Sequence, residues 1–358
     1  MICQGRPLPF LDRRLQTDHN VERAQASDPR RATCPALSSL PPCHIYAIIP
    51  PEMAVIIDFH THITAPEIIA RRDEYLVRDA WFRDLYANPK ARLSTAEDLI
   101  AAMDRAAVDQ AVVFGFGWRD MDLCRQDNDY VIESVGRYPD RLIGFAIVNP
   151  ISGVEAVHEI ERCAAAGMRG VGELMPDGQG YRLDDEKTMA PIVEVAVDRK
   201  LVLLTHCSEP VGRLYPGKGT VTPDEVIRFA RLFPSATLVC AHWGGGTIFY
   251  ELMPDVAGVL RNVFYDTAAS LFLYDCDIFS LAARWAPGKV LFATDYPLIA
   301  PGLFLKRLQP VRMPTATLRR MLGGNAWRVL KLGGETKDEG RRTKESGNWS
   351  DSQESLYP

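Results

Sequence analysis

Val55-Ile-Ile-Asp-Phe-His-Thr-His62 is an apolar run that closes on two imidazoles. Val55–Phe59 reads as a strand running into His60-Thr-His62, and side chains two apart on a strand share a face. His60 and His62 therefore point the same way and can grip one metal ion. Seven more short apolar runs follow: Ala111–Phe114, Leu142–Val148, Met168–Glu173, Leu201–Thr205, Thr237–Ala241, Asn262–Asp266 and Val290–Thr294. Their near-continuous Val, Ile and Leu content suits parallel strands buried on both faces.

Helical patterns separate these runs. Ser94-Thr-Ala-Glu97 reads as a capping box, and Thr222-Pro-Asp-Glu225 combines an N-cap, Pro at N1 and Glu at N3. Val154–Ala166 and Thr188–Arg199 carry helical apolar spacing. Eight strand–helix units predict an α/β fold, a single (β/α)8 TIM barrel of about 250 residues or slightly more. A doubly wound open sheet competes with it. No glycine-rich dinucleotide fingerprint follows the first strand, which removes that architecture's main support.

The barrel is predicted over residues 53–332. Residues 1–52 hold eight Pro and three Cys without apolar periodicity, and 333–358 are polar and charged. Both ends are expected to be disordered extensions, since such stretches cannot bury enough surface to fold. Asp12, Asp18, Glu22 and Asp28 among the N-terminal arginines argue against a transit peptide. Met53 is a candidate natural start.

Composition excludes several classes of function. Of 358 residues, 47% are apolar and 24% charged, which is ordinary globular usage. Lys plus Arg number 41 against 46 acids, giving a net charge of −5, so no basic excess points to nucleic acid. No apolar run approaches the roughly 20 residues of a membrane span. The eight Cys form no CxxC pair, and Cys124, Cys163, Cys207 and Cys240 fall in predicted elements. Reduced thiols in a cytoplasmic protein follow as the expectation.

The remaining histidines sharpen the metal reading. Leu201–Thr205 runs into His206, Leu238-Val-Cys-Ala241 into His242, and Val290–Thr294 into Asp295. In a barrel all such strand ends converge on one face, where active sites lie. Four of the seven His in the chain occupy these places, so a metal site is predicted there. Glu173 ends another run. It is either a rim acid paired with Arg or Lys, or a carboxylate ligand bridging two ions about 3.5–4 Å apart.

Together, Asp58-Phe-His60-Thr-His62, Gly172-Glu173, Thr205-His206, His242-Trp-Gly-Gly-Gly246, Thr294-Asp295-Tyr-Pro297 and Gly323-Gly-Asn325-Ala326 resemble the amidohydrolase superfamily. The likeness runs from about Val55 to Leu332 and is nearest to the amidohydrolase-related, aminocarboxymuconate semialdehyde decarboxylase-like branch. It implies that His60, His62 and His206 are metal ligands. It makes His242 a ligand to a second metal or a catalytic group, and Asp295 a metal ligand that also handles protons. A homodimer is compatible with this branch. One departure stands out: many binuclear members carry a carboxylated Lys at the end of the fourth strand, and this chain has no Lys between Lys90 and Lys187. A second metal would need Glu173.

The donor chemistry stands apart from the resemblance. Imidazoles with carboxylates suit Zn, with Mn, Fe or Co as alternatives, and one or two ions fit the donor count. A metal-activated water, with Asp295 accepting its proton and protonated His242 facing the oxyanion, would hydrolyse an amide, ester or lactone of a small molecule. The alternative is non-oxidative decarboxylation of a small carboxylic acid. Trp118, Arg119, Tyr181, Arg182, Arg213, Lys218 and Tyr296 fall on strand-to-helix loops, where a cation could receive a substrate carboxylate or simply face water. No GxSxG or Walker loop is present.

Overall fold

The first strand, β1 (Ile57–His62), is buried along its whole length. It carries both imidazoles within the ladder instead of ending at Phe59. Thr61 is the reason: it pairs with Val113 on one side and bridges Tyr296 on the other. The computed structural model describes residues 55–332. The predicted extensions, 1–52 and 333–358, lie outside the described residues, as do His19 and His44.

Seven further parallel strands follow in order: β2 (Gln110–Phe114), β3 (Leu142–Ala146), β4 (Gly170–Leu174), β5 (Val202–Thr205), β6 (Leu238–Cys240), β7 (Val263–Asp266) and β8 (Val290–Leu291). Each pairs with its sequence neighbour. The last meets the first through Phe59 N to Phe292 O at 2.8 Å, Asp295 N to His60 O at 3.0 Å and His62 N to Tyr296 O at 2.7 Å. The result is a nearly closed eight-stranded parallel barrel inside a layer of helices, as the alternation of apolar runs predicts.

Predicted ends shift where other partners win. Beyond Leu291 the chain leaves the ladder, because Phe292 N donates to Met321 O and Thr294 N to the Asp58 carboxylate. The first capping box lies one residue later than expected. Thr95 caps helix Ala96–Ala106, with Asp98 closing the box in place of Glu97. Glu225 is no cap either. Its buried carboxylate accepts from Leu183 N at 2.7 Å and pairs with Arg182.

The helices bury one stripe each. In Ala96–Ala106 the buried positions include Leu99, Ala102, Met103 and Ala106, the i, i+3, i+4, i+7 pattern. A side chain such as Leu99 contributes about 1.5–3 kcal/mol by leaving water. Gly323 has a different task. A Cβ there would overlap the Val55 carbonyl oxygen, so glycine lets the last helical segment press against the start of β1. Asn325 then ties that segment to β8 by donating to Pro287 O at 3.0 Å and Val290 O at 2.8 Å. Cys124, Cys163, Cys207 and Cys240 are buried free thiols. Among the described residues, no helix is long and apolar enough to cross a membrane.

Candidate metal centre

Every strand-end residue singled out from the sequence reaches one point at the C-terminal mouth of the barrel. On β1, His60 Nε2 and His62 Nε2 lie 3.2 Å apart. Glu173 Oε2, from β4, is 3.5 Å from the first and 3.6 Å from the second. Asp295 Oδ1, just past β8, is 3.7 and 3.5 Å from the same two nitrogens. Ligands bound at about 2.0–2.1 Å around a tetrahedral ion sit roughly 3.4 Å from one another, so each carboxylate oxygen stands at coordination-shell spacing from the two imidazole nitrogens.

The other Glu173 oxygen serves a second group. Oε1 lies 3.0 Å from His206 Nδ1 and 3.8 Å from His242 Nε2, and those nitrogens are 3.2 Å apart. His60, His62 and Glu173 form one set of donors within metal reach, and Glu173, His206 and His242 another. One or two metal-binding sites are thus present.

The outer nitrogens of the four imidazoles show which lone pairs face inward. His60 Nδ1 lies 2.8 Å from Asp266 Oδ2, His62 Nδ1 3.2 Å from Gly115 O, His206 Nε2 2.9 Å from Gly217 O, and His242 Nδ1 3.1 Å from Ala268 O. Each outer contact is an oxygen acceptor, which calls for the N–H on that side. The four inner nitrogens then present lone pairs to one another, an arrangement that only a proton or a cation relieves.

Electrostatics agree. Burial opposes a charge on His60, but the carboxylates of Glu173 and Asp266 overcome it and raise its pKa well above the ordinary imidazole value. His206 is raised too: burial works against it, and its bond to Glu173 prevails. Glu173 is buried, yet His60 and His206 hold it well below the usual carboxylate range. Asp295, resisting burial through His62 and His60, is brought down to about 2. It is ionised at neutral pH.

Two of these residues sit in strained backbone. His242 has φ 56° and Asp295 φ 62°, the left-handed region that costs a non-glycine residue about 1–3 kcal/mol. Hydrogen bonds hold both in place: His242 N donates to Asp266 Oδ1 at 3.0 Å, and Asp295 N to His60 O at 3.0 Å. The strain turns each side chain toward the mouth at the point where the chain leaves its strand.

Asp266 is the functional residue that sequence reasoning passed over. It ends β7 and is fully buried. One oxygen orients His60, and the other accepts from the backbone N–H groups of His242 and Ala268. Its signal was visible, since the run 262–266 ends in an acid just as the run 290–294 leads into one. Asp266→Asn places an NH2 group against N–H donors on one side. Metal affinity is expected to fall tenfold to a hundredfold, read by competition with a chromophoric chelator.

Other expectations are corrected. Trp118, on the loop after β2, is buried and donates through Nε1 to Asp127 at 2.6 Å. Tyr296 is buried against β1. Arg182 pairs with Asp184 and Glu225, Arg213 donates to Phe272 O, and Lys218 to Val211 O and Arg213 O. Those three cations are engaged by protein groups. Gly245 serves packing, because a Cβ there would overlap the Ser208 backbone. His158 is exposed on its helix, away from the site.

Comparison with known proteins gives a consistent picture. Residues 57–332 match the protein-family model described as "Amidohydrolase". A 2-amino-3-carboxymuconate-6-semialdehyde decarboxylase of Dictyostelium discoideum is 24% identical over 258 residues, covering 62% of this chain and 70% of that protein. The crystal structure of 5-carboxyvanillate decarboxylase from Sphingomonas paucimobilis superposes with a TM-score of 0.66 at 20% identity, covering 78% of this chain and 99% of the other. The enzyme of the same name from Novosphingobium aromaticivorans, solved with manganese, gives a TM-score of 0.64 at 21% identity over 78% of this chain and 96% of its own. These relatives are named decarboxylases.

Proposed function

Because the chain belongs to the amidohydrolase superfamily, in its amidohydrolase-related, aminocarboxymuconate semialdehyde decarboxylase-like branch, we propose that it is a metal-dependent, non-oxidative decarboxylase of a small carboxylic acid. At the coarser level it is a metal-binding enzyme of that superfamily acting on a small molecule. The observation that supports the reaction is the nitrogen and oxygen donor cluster at the barrel mouth, in a fold shared with enzymes named as decarboxylases of small acids.

His60, His62, Glu173 and Asp295 would hold the ion, and Glu173, His206 and His242 a second. Imidazole-rich donors favour zinc, while manganese is the ion named with the Novosphingobium enzyme. When bound, the ion supplies Lewis-acid polarisation of a substrate oxygen. Asp295 is ionised and sits at the edge of the cluster, able to take a proton from water or a substrate hydroxyl. It would return that proton to the carbon that keeps the electron pair as its bond to CO2 breaks. His242 is buried with Nε2 3.8 Å from Glu173 Oε1, on the side of the cluster that would hold the second ion.

Hydrolysis remains the second reading, supported by the Glu173–His206–His242 group, because two ions on one bridging carboxylate suit activation of water. The two separate cleanly. Metal-loaded protein is incubated in 18O-water with 2-amino-3-carboxymuconate-6-semialdehyde, 5-carboxyvanillate and 2,6-dihydroxybenzoate, beside a panel of small lactones and amides. Release of CO2 without 18O in the organic product is expected. Turnover confined to the lactones or amides, with 18O incorporated, would overturn decarboxylation in favour of hydrolysis.

A further inference from the structure

Next to His62 lies a small pocket between helix Ala80–Tyr86 and the loop of residues 115–118. His62, Thr64, Tyr86, Phe116, Trp118 and Asp127 line it, and it has room for about one water-sized group. Asp127 is 2% exposed. Its Oδ2 accepts from Phe116 N at 2.9 Å and from Trp118 Nε1 at 2.6 Å. Its Oδ1 is buried and has no hydrogen-bond partner among the described residues. Tyr86 lines the same pocket. A buried carboxylate oxygen left bare is costly, and each such group in a folded protein asks for an explanation.

The two bonds to Oδ2 lock the carboxylate plane, so the direction of Oδ1 is set before anything binds. Phe82, Phe116 and Trp118 supply an aromatic part of the wall, their rings meeting edge-to-face or tilted at centroid distances of 4.7 to 5.1 Å. Such a pocket accepts a donor and rejects a group that can only accept. Its opening on His62 couples it to whatever the metal centre holds.

We propose that this pocket is a specificity subsite for a hydrogen-bond-donating substituent of the substrate, a hydroxyl or a primary amine, with Asp127 Oδ1 as acceptor and Tyr86 as the second polar contact. It rests on the reading that a small carboxylic acid binds at the metal centre. The substituent enters the pocket while the acid stays at the cluster. Burial and the charges of Asp295 and Glu173 push the Tyr86 phenol up, so it stays protonated and can donate as well as accept.

Asp127→Asn is the informative variant. Phe116 N and Trp118 Nε1 both donate, so the amide oxygen takes the Oδ2 place and the NH2 takes the place of Oδ1. An acceptor becomes a donor without a change of shape. The probes are benzoate, the three hydroxybenzoates and their methyl ethers, titrated calorimetrically into metal-loaded protein. At least one hydroxybenzoate is expected to bind tenfold or more tightly than its methyl ether. Asp127→Asn should abolish or reverse that preference with benzoate affinity and metal content unchanged, and Tyr86→Phe should weaken it severalfold.

Several results would overturn the subsite. No hydroxyl preference in the wild type, with benzoate bound, removes it and leaves the metal-centre reading standing. A preference untouched by Asp127→Asn, or by Tyr86→Phe if the first variant does not fold, assigns the pocket to a fixed water. Failure of benzoate itself to bind removes the carboxylic-acid reading and the subsite with it.

Discussion

Glu173→Ala is expected to lower the metal content by at least one ion per chain, with activity reduced more than a hundredfold. One carboxylate faces all four imidazoles, Oε2 toward His60 and His62 and Oε1 toward His206 and His242. It is also the charge that raises His60 and His206. Without it, four inward nitrogens lose the negative partner that offsets their burial, and two cations so close would repel strongly in a poorly screened site. Glu173→Gln separates charge from shape. The amide keeps one oxygen for one group and turns an NH2 toward the other, so one ion should remain. Elemental analysis of protein purified without chelator reads both variants. Two ions in every variant would remove Glu173 from the ligand set, and one ion throughout would make it a group that orients the imidazoles.

The same variants carry a pH signature. With Glu173 present, His60 and His206 hold protons above the ordinary imidazole range, so protons compete with metal to a higher pH than at a free imidazole. In Glu173→Gln that competition should move to lower pH, as both histidines fall back toward their ordinary values. Metal affinity measured from pH 5 to 8 would then rise over a lower, narrower range, even as its plateau drops.

Asp295→Asn is expected to reduce kcat by about a thousandfold, the usual weight of a positioned acid–base group, with metal content retained. The substitution isolates the charge. Asn tolerates the left-handed backbone that Asp295 adopts at φ 62°, and its backbone N–H keeps the bond to His60 O. What disappears is a carboxylate brought down to about 2 by His62 and His60 against its burial. KM should change far less than kcat, because the proton transfer is lost and the remaining donors still bind. Steady-state kinetics beside metal analysis test this. A loss of activity that tracks loss of metal would make Asp295 a ligand without a proton role.

Much of this molecule was legible in one dimension. Eight apolar runs in the order later paired as neighbours, and imidazoles or acids at the ends of six of them, are local patterns of period and position. A parallel barrel brings such ends to one face whatever the details. The period of two along β1 alone put His60 and His62 on one side. Strand limits were less legible, because Thr61 and Phe292 take partners far along the chain.

Tertiary structure decided the rest. Glu173 reads equally as a rim acid or a ligand until the fold sets each of its oxygens against a different pair of imidazoles. Asp266 is an ordinary strand-end acid until closure brings it 2.8 Å from a histidine 206 positions away. Asp127 is one acid in a polar helix until the β2 loop folds over it and leaves one oxygen bare. Periodicity is a property of neighbours in sequence, whereas the tautomer of an imidazole and the satisfaction of a buried oxygen depend on groups that only the closed barrel brings within 3 Å or so.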